Sequence, residues 1–223
     1  MLSARFFEMT QKPDAPFLGA GVGRGSFIAH TKETAALNAR VQENGIEKGV
    51  DALLTEVERV ARFGFTATEL DRQRQNILRS YERMATEDVN RQSGSRADEY
   101  IRNFLQDESL PGVELELAMH RRFLPEITLD EINELAGEWF TNHNRIVTVI
   151  APEKTGLVIP DEAKLAAVIK AAPGKELKPY VDTLASGALL DPLPQPGTIV
   201  KTATKDALGI TEWELSNGVK VVL

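Results

Sequence analysis

The chain has 223 residues, of which 42% are hydrophobic and 26% are charged, a composition typical of a globular protein with room for one or two domains. Its 33 acidic residues outnumber its 26 lysines and arginines, which gives a net charge of −7. This balance argues against a sequence-tolerant nucleic-acid binder, which usually carries a basic face. The absence of cysteine excludes disulfides, thiolate catalysis and cysteine-ligated zinc. No apolar run reaches the roughly 18 residues of a membrane span.

The first 42 residues predict one helix and two strands. A short helix is expected over residues 2–11, and Pro13 and Pro16 end it. The strand predicted over residues 17–29 is unusual because glycine recurs at every second position, as Gly19, Gly21, Gly23 and Gly25. A second strand is predicted over residues 35–42, where apolar and polar side chains alternate. This pattern is typical of an antiparallel sheet with one solvent-exposed face.

A run of helices follows the two strands. Two of them begin with capping boxes, in which a threonine and a glutamate three residues later satisfy each other's backbone N–H groups. A short β-branched strand is predicted at residues 145–150. The predicted helices cover residues 46–63 with Gly64 closing the helix, Thr66 through Met84, residues 90–105, residues 111–124 with Pro111 first, Thr128 through Trp139, and residues 160–172 with Pro160 first.

The composition changes after residue 172, and this predicts the domain organisation. Residues 1–172 form one domain, residues 173–206 form a proline-rich linker that is extended rather than packed, and residues 207–223 begin the next domain. That beginning is a β-hairpin over residues 211–223, with Asn217-Gly218 as a type I′ turn. Since the sequence stops inside the apolar return strand, we expect an excerpt from a longer protein, called the parent below.

The glycine-rich segment does not have the spacing of a phosphate-binding loop. A dinucleotide fingerprint would need glycine where Arg24 or Ser26 stands, and no Gly-Lys-Ser/Thr is present. Two interpretations of Gly19, Gly21, Gly23 and Gly25 stay open. Alternate glycines leave one face of the strand without side chains. This face permits either tight packing of the helix that carries Ile46 and Val50, or the close approach of an extended peptide in a substrate chamber.

The three histidines do not indicate a metal site. A zinc site on one helix needs histidines four residues apart, whereas no two of His30, His120 and His143 are closer than 23 residues. We expect His30 and His143 to be solvated and His120 to lie on a helix surface beside Arg121. We therefore expect no catalytic residue, metal ligand or cofactor in this chain.

Four segments resemble the pitrilysin/insulinase-type zinc metallopeptidases when they are taken together and in order. They are MLSARFFEMTQKPDAPFLGAGVG at residues 1–23, TATELDRQRQNIL at residues 66–78, ITLDEINELAGEWFTNHNRIVTVIAPEK at residues 127–154, and ITEWELSNGVKVVL at residues 210–223. The resemblance covers most of the chain. It implies an α+β fold in which an antiparallel sheet packs against several helices, as in the metallopeptidase (LuxS/mitochondrial-processing-peptidase-like) domain.

The resemblance also implies a function for the parent. Members of this family hold zinc with an H-x-x-E-H motif and a distant glutamate, and neither the motif nor any catalytic position can be assigned here. The chain is then the later part of the non-catalytic second domain, the linker between halves, and the start of the third domain. Its implied partners are the parent's other domains and a peptide substrate, with zinc in the parent, no nucleic acid and no membrane span. A cell-envelope or periplasmic location is expected, because bacterial proteins of this type are often exported.

Two alternatives stay open at the level of sequence. The same fold can belong to a parent without the zinc motif, which would act as a structural or substrate-holding subunit. The chain can also be an unrelated helical binding module, which would lack the antiparallel sheet. The residues upstream of Met1 distinguish the first alternative from a peptidase, and the fold tests the second.

Overall fold

A computed structural model of the chain describes residues 1–27, 29–139, 144–182, 190 and 192–223. Contacts divide it into two compact units, Met1–Asp182 and Thr183–Leu223. The described residues form seven α-helices and two antiparallel sheets, so the predicted α+β class is confirmed. The antiparallel sheet also argues against the purely helical module.

The first unit contains a two-stranded sheet and all seven helices. Their order is α1 (Leu2–Thr10), β1 (Gly19–Phe27), β2 (Ala29–Arg40), α2 (Ile46–Phe63), α3 (Ala67–Glu87), α4 (Ser93–Gln106), α5 (Val113–Phe123), α6 (Leu129–Trp139) and α7 (Glu162–Ala171). The second unit is a three-stranded sheet of β3 (Ile199–Lys205), β4 (Ile210–Leu215) and β5 (Lys220–Val222). Across these described elements, no helix has both the length and the apolar character that a membrane crossing requires.

Both predicted capping boxes are confirmed. At the start of α3, the Glu69 N–H donates to the Thr66 hydroxyl at 3.3 Å, and the Glu69 carboxylate accepts from the Thr66 N–H at 2.8 Å. Thr128 and Glu131 make the same pair of bonds before α6, at 3.3 and 2.7 Å. Each box satisfies two backbone donors that a helix start leaves unpaired, which fixes where the helix begins.

Two helices begin later than the proline residues that were predicted as their first residues. α5 begins at Val113, after Gly112 with φ of 79°, instead of at Pro111. α7 begins at Glu162, because the Asp161 carboxylate accepts a hydrogen bond from the Lys164 N–H at 2.9 Å. An aspartate that satisfies a free N–H group is a stronger start signal than a proline one residue earlier.

The core of the first unit lies between one face of the β1–β2 sheet and helices α1 and α2. Phe6 and Phe17 meet edge to face with their ring centroids 5.8 Å apart. The sheet contributes partly buried small and aliphatic side chains to this core, including Ala20, Val22 and Leu37. The buried core residues are Leu2, Phe6, Phe17, Leu53, Val57, Val60, Phe65 and Ala136.

The prediction of a strand at residues 145–150 is wrong for the described chain. The structure assigns no strand to residues 145–150, although four of the six are β-branched apolar residues. β-propensity describes how well a residue fits a sheet, and it does not determine which strand it pairs with. Residues 145–150 line a cavity together with residues of β2 and α2.

The predicted linker over residues 173–206 contains two ordered parts. We call residues 173–182 the strap, because charged side chains of α2 hold it along its length. Arg62 donates to the carbonyl oxygens of Pro173 and Lys175 at 2.5 and 2.6 Å, and Arg59 donates to that of Lys178. Further along the predicted linker, β3 pairs with β4. The strap and β3 therefore correct the prediction of an extended, unpacked segment, while the domain boundaries at 172 and 206 stay predictions.

Limited trypsin digestion of the 223-residue chain should produce a stable fragment that ends beyond the strap, not near residue 172. The peptide bond after Lys175 should resist cleavage, because Arg62 of α2 donates a hydrogen bond to its carbonyl group. Mass spectrometry of the early fragments measures this. A dominant early cut after Lys175 in the native chain would contradict the strap. Replacing Arg62 with glutamine should make this site sensitive.

The predicted hairpin of the second unit is confirmed, but its turn is not type I′. The Gly218 N–H donates to the Leu215 carbonyl at 2.9 Å, and the Leu215 N–H donates to the Val219 carbonyl at 2.8 Å. Gly218 has φ of 82°, whereas Asn217 is not among the described residues with positive φ. The loop therefore has three residues with glycine in the left-handed position, a common alternative to the two-residue turn.

Candidate functional site

The four glycines singled out from the sequence lie on one face of β1, opposite the core. Partners directly across an antiparallel pair point to the same face. Val22 pairs with Leu37, and both pack against the core, so the residues between them face away. This outer face, called the glycine face, is formed by Gly19, Gly21, Gly23 and Gly25 with their partners Arg40, Asn38, Ala36 and Thr34.

No described residue covers the glycine face closely. A Cβ atom built on Gly19, Gly23 or Gly25 would have no heavy atom within 4 Å, and one on Gly21 would meet only the Asn38 side chain, at 3.7 Å. The helix that carries Ile46 and Val50 is α2, and it packs on the opposite side of the sheet. Tight packing of that helix therefore does not account for the glycines.

A cavity of about 540 Å³ lies beside β2. Residues of β2, of α2 and of the segment from Asn144 to Ile150 line it. Arg24 and Glu33 form an ion pair beside it, and the Arg24 guanidinium lies 5.2 Å from the centroid of the Trp139 ring. None of the four glycines lines this cavity, although Thr34 and Asn38 of the glycine face do.

A buried arginine, Arg5, holds α1, α3 and the strap together, and the sequence analysis missed it. Its guanidinium donates to both carboxylate oxygens of Glu69, at 2.6 and 2.8 Å, and to the Gly64 carbonyl at 3.1 Å. It also lies over the rings of Phe65 and Tyr180, at 5.0 and 4.1 Å from their centroids. The signal was present in the sequence, because Leu2, Arg5, Phe6 and Met9 share one helix face.

The end of the strap joins the same network through two further contacts. The Tyr180 hydroxyl donates to the Glu8 carboxylate. Asp182 accepts hydrogen bonds from Arg72 at 3.0 and 3.1 Å and from the Thr68 hydroxyl at 2.7 Å. The strap is therefore anchored to the last turn of α1 and to the start of α3 by charge-assisted hydrogen bonds, which are the stronger kind.

The network changes the pKa values of its carboxyl groups. Burial alone would raise the pKa of Glu69, but the hydrogen bonds from Arg5 and Thr66 and the Arg5 charge outweigh it and lower that pKa. Burial would also raise the pKa of Asp182, but the hydrogen bonds from Thr68 and Arg72 and the Arg72 charge outweigh it and lower that pKa. For Tyr180, burial and the Glu8 carboxylate both raise the pKa. The network therefore favours charged carboxylates and a protonated tyrosine.

Of the three histidines, only the His120 side chain is described. Its Nδ1 atom lies 2.7 Å from the Glu116 carbonyl oxygen, and its ring stacks on Tyr81 with the centroids 3.7 Å apart. The His30 side chain and all of His143 lie outside the described residues. Among the side chains that the structure describes, no three or more His, Asp or Glu residues group in a way that could hold a metal ion.

Comparison with known proteins finds that this chain is similar to parts of zinc proteases. No family model matches the chain. A zinc protease PQQL-like protein of Arabidopsis thaliana is 22% identical over 220 residues, which is 99% of this chain and 20% of that protein. The chain resembles a segment of pitrilysin/insulinase-type zinc proteases, as its sequence predicted. It spans about a fifth of the length of the curated relative.

Two solved structures show the same fold. The match to the periplasmic protease PqqL from Escherichia coli covers 100% of this chain and 24% of the PqqL chain, with a TM-score of 0.65 and 21% identity. The match to the structure of the first half of PqqL covers 81% of this chain and 39% of that chain, with a TM-score of 0.63 and 16% identity. These matches confirm the metallopeptidase-like fold of the chain.

Proposed function

We propose that this chain is a non-catalytic segment of a zinc-dependent endopeptidase and helps to enclose its peptide substrate. The observation that carries the proposal is the similarity over 99% of the chain to about a fifth of a zinc protease. A chance similarity would cover only a few neighbouring helices or strands. This similarity includes the sheet, the helices and the C-terminal hairpin.

The two PqqL comparisons support a position at the end of the first half of the parent. The whole protease matches all of this chain, but its first half alone matches only 81%. On this proposal, the remaining residues are the linker and the first strands of the second half. The strap, on this proposal, fixes the point at which the chain leaves the first half.

The residues that the structure describes do not fit a zinc site. The chain has no cysteine, and its described side chains contain no cluster of metal-binding groups. On this proposal the metal and the hydrolytic chemistry belong to the part of the parent outside these 223 residues. The contribution of this chain is structural, in that the glycine face gives a peptide backbone close access to a sheet. PqqL is a periplasmic protease, and we propose a cell-envelope location for the parent as well.

The test compares the 223-residue chain with the full-length parent. We expect stoichiometric zinc and peptide hydrolysis in the parent, and neither in the chain alone. Metal analysis by mass spectrometry and cleavage of a quenched fluorescent peptide library measure the two properties. Stoichiometric zinc in the chain alone would contradict the proposal. A parent without zinc or hydrolysis would instead support the structural or substrate-holding subunit.

A further inference from the structure

The polar groups of the glycine face come from β2. To this face β1 contributes only glycines, and the backbone N–H and C=O groups of paired strands point along the sheet, not out of its face. The glycines therefore provide room for a peptide but no hydrogen bonds to it. Recognition of a substrate on this face depends on the β2 side chains, which are Thr34, Ala36, Asn38 and Arg40.

The Asn38 side chain lies beside the bare backbone of β1. A Cβ atom on Gly21 would have two heavy atoms within 4 Å, and these are the Asn38 side-chain oxygen and nitrogen, at 3.7 and 3.9 Å. Asn38 is exposed. Its amide has two donor hydrogens and an acceptor oxygen, so it can bond to either polar group of a peptide backbone that lies above Gly21.

Arg40 is the charged residue of the glycine face. It is exposed, and its guanidinium has no ion pair, hydrogen bond or ring contact with any residue that the structure describes. On the opposite face of the same hairpin, Arg24 is paired with Glu33. A guanidinium presents a planar fork of donors that matches a carboxylate. Arg40 is therefore available to a carboxylate from outside this chain.

Asn38 and Arg40 have the spacing of side chains on an extended peptide. They are two residues apart on β2, which corresponds to roughly 7 Å along the strand. Side chains on one face of an extended peptide repeat at the same interval, because they alternate in the same way. A peptide that lies along the glycine face can therefore place one side chain at Arg40 while its backbone passes Asn38.

We propose that Arg40 and Asn38 form a subsite on the glycine face that selects peptide substrates with an acidic side chain, Asp or Glu. Arg40 binds the carboxylate, Asn38 bonds to the peptide backbone, and the glycines allow that backbone to approach. This inference deepens the proposed function and rests on it, because the proposed function supplies the peptide. The substrate class is then an extended peptide with an acidic residue at a fixed distance from the cleaved bond.

Peptides that differ by a single charge test the subsite in the full-length parent. A short quenched fluorescent peptide of uncharged residues that the parent cleaves is remade with Glu or Gln at each position in turn. At one position, kcat/KM for the Glu peptide should exceed that for the Gln peptide by roughly 5-fold, as expected for a solvent-exposed ion pair. Since Glu and Gln have nearly the same shape, the ratio reports the charge.

Variants of the subsite assign the preference to its two residues. Arg40→Gln should abolish the Glu preference, and Arg40→Glu should reverse it, so that a Lys peptide is cleaved faster than the Gln peptide. Asn38→Ala should lower kcat/KM for the Glu and Gln peptides by the same factor, because Asn38 bonds to the backbone. Arg83→Gln removes the same charge from an exposed position of α3, outside the glycine face, and should leave the Glu preference unchanged.

Three results would overturn the subsite. The first is a parent that shows no Glu preference at any position. The second is a preference that survives Arg40→Gln, since recognition would then belong to another part of the parent. The third is an equal loss of preference in Arg40→Gln and Arg83→Gln, which would show a general effect of the net charge.

Peptide hydrolysis by the parent reports separately on the proposed function. An active parent without a Glu preference would refute only the subsite. A parent that cleaves no peptide would refute the peptidase, and fluorescence anisotropy of the same peptides, labelled with a single dye, would then test the subsite by binding. Tighter binding of a Glu peptide that Arg40→Gln abolishes would support the subsite, whereas equal binding of every Glu and Gln pair would refute it.

Discussion

Replacing Arg5 with methionine is expected to lower the free energy of unfolding by about 3–5 kcal/mol, because it leaves the buried Glu69 carboxylate without its arginine partner. Arg5, Glu69 and Glu56 are only 2%, 3% and 7% exposed. Methionine keeps much of the length and apolar character of the arginine stem, so the loss is chiefly electrostatic. Urea unfolding of the 223-residue chain, followed by circular dichroism, measures the change.

Two controls separate the buried network from a general packing defect. Adding Glu69→Gln to Arg5→Met should recover at least half of the lost stability, because the buried carboxylate that lost its arginine is then replaced by a neutral amide. The second capping box offers a matched single variant, since Glu131 makes the same bonds to Thr128 at an exposed site without an arginine. Glu131→Gln should destabilise the chain far less than Glu69→Gln. Equal effects would contradict a special role for Arg5.

The same network makes stability depend on pH in the acid range. The pKa of Glu69 is lower in the folded chain than its usual value of 4.5. A carboxyl group with a lowered folded pKa stabilises the protein fully above the unfolded pKa, and this contribution is lost as the pH falls through the folded value. The stability difference between the wild type and Arg5→Met should therefore shrink below about pH 4.5.

Features that depend on neighbouring residues in sequence were predictable. The capping boxes at Thr66 and Thr128 and the closing glycine at Gly64 were all assigned correctly, because each one satisfies backbone groups within one helical turn. The α+β class was implied by the family resemblance, and the change between two-residue and helical periodicity predicted its strands and helices. The alternation of β1 also placed its glycines on a single face.

Features that depend on distant partners were not predictable. Residues 145–150 have the composition of a strand, but forming a strand depends on pairing with a distant segment, which local composition does not specify. The strap has the proline content of a linker, yet Arg59, Arg62 and Arg72 of two helices bind it through carbonyl and carboxylate groups. An arginine on the apolar face of α1 could have been noticed, but its partner Glu69 lies 64 residues away.

The role of the glycine face in peptide hydrolysis can be tested by placing a side chain on it. Gly21→Val in the full-length parent is expected to lower kcat/KM for peptide hydrolysis by about 10-fold while leaving Tm unchanged or slightly raised. A Cβ at Gly21 meets only the Asn38 side chain at 3.7 Å, an ordinary contact distance, so the substitution fits. Glycine inside a strand costs roughly 0.5–1 kcal/mol relative to alanine, and β-branched residues favour strands.

The interpretation depends on comparing the loss of turnover with the change in melting temperature. A valine on the glycine face would hold an extended peptide away from the backbone of β1 only if that face borders the substrate chamber. Gly23→Val should act in the same direction, because its Cβ also has open space. Thr204→Val, on exposed strand β3, controls for an added apolar strand residue and should leave kcat/KM unchanged. A fall in Tm large enough to explain the lost activity would show that another part of the parent packs against the glycines. Unchanged kcat/KM with unchanged Tm would remove the substrate role, since the face would then touch neither a domain nor a peptide.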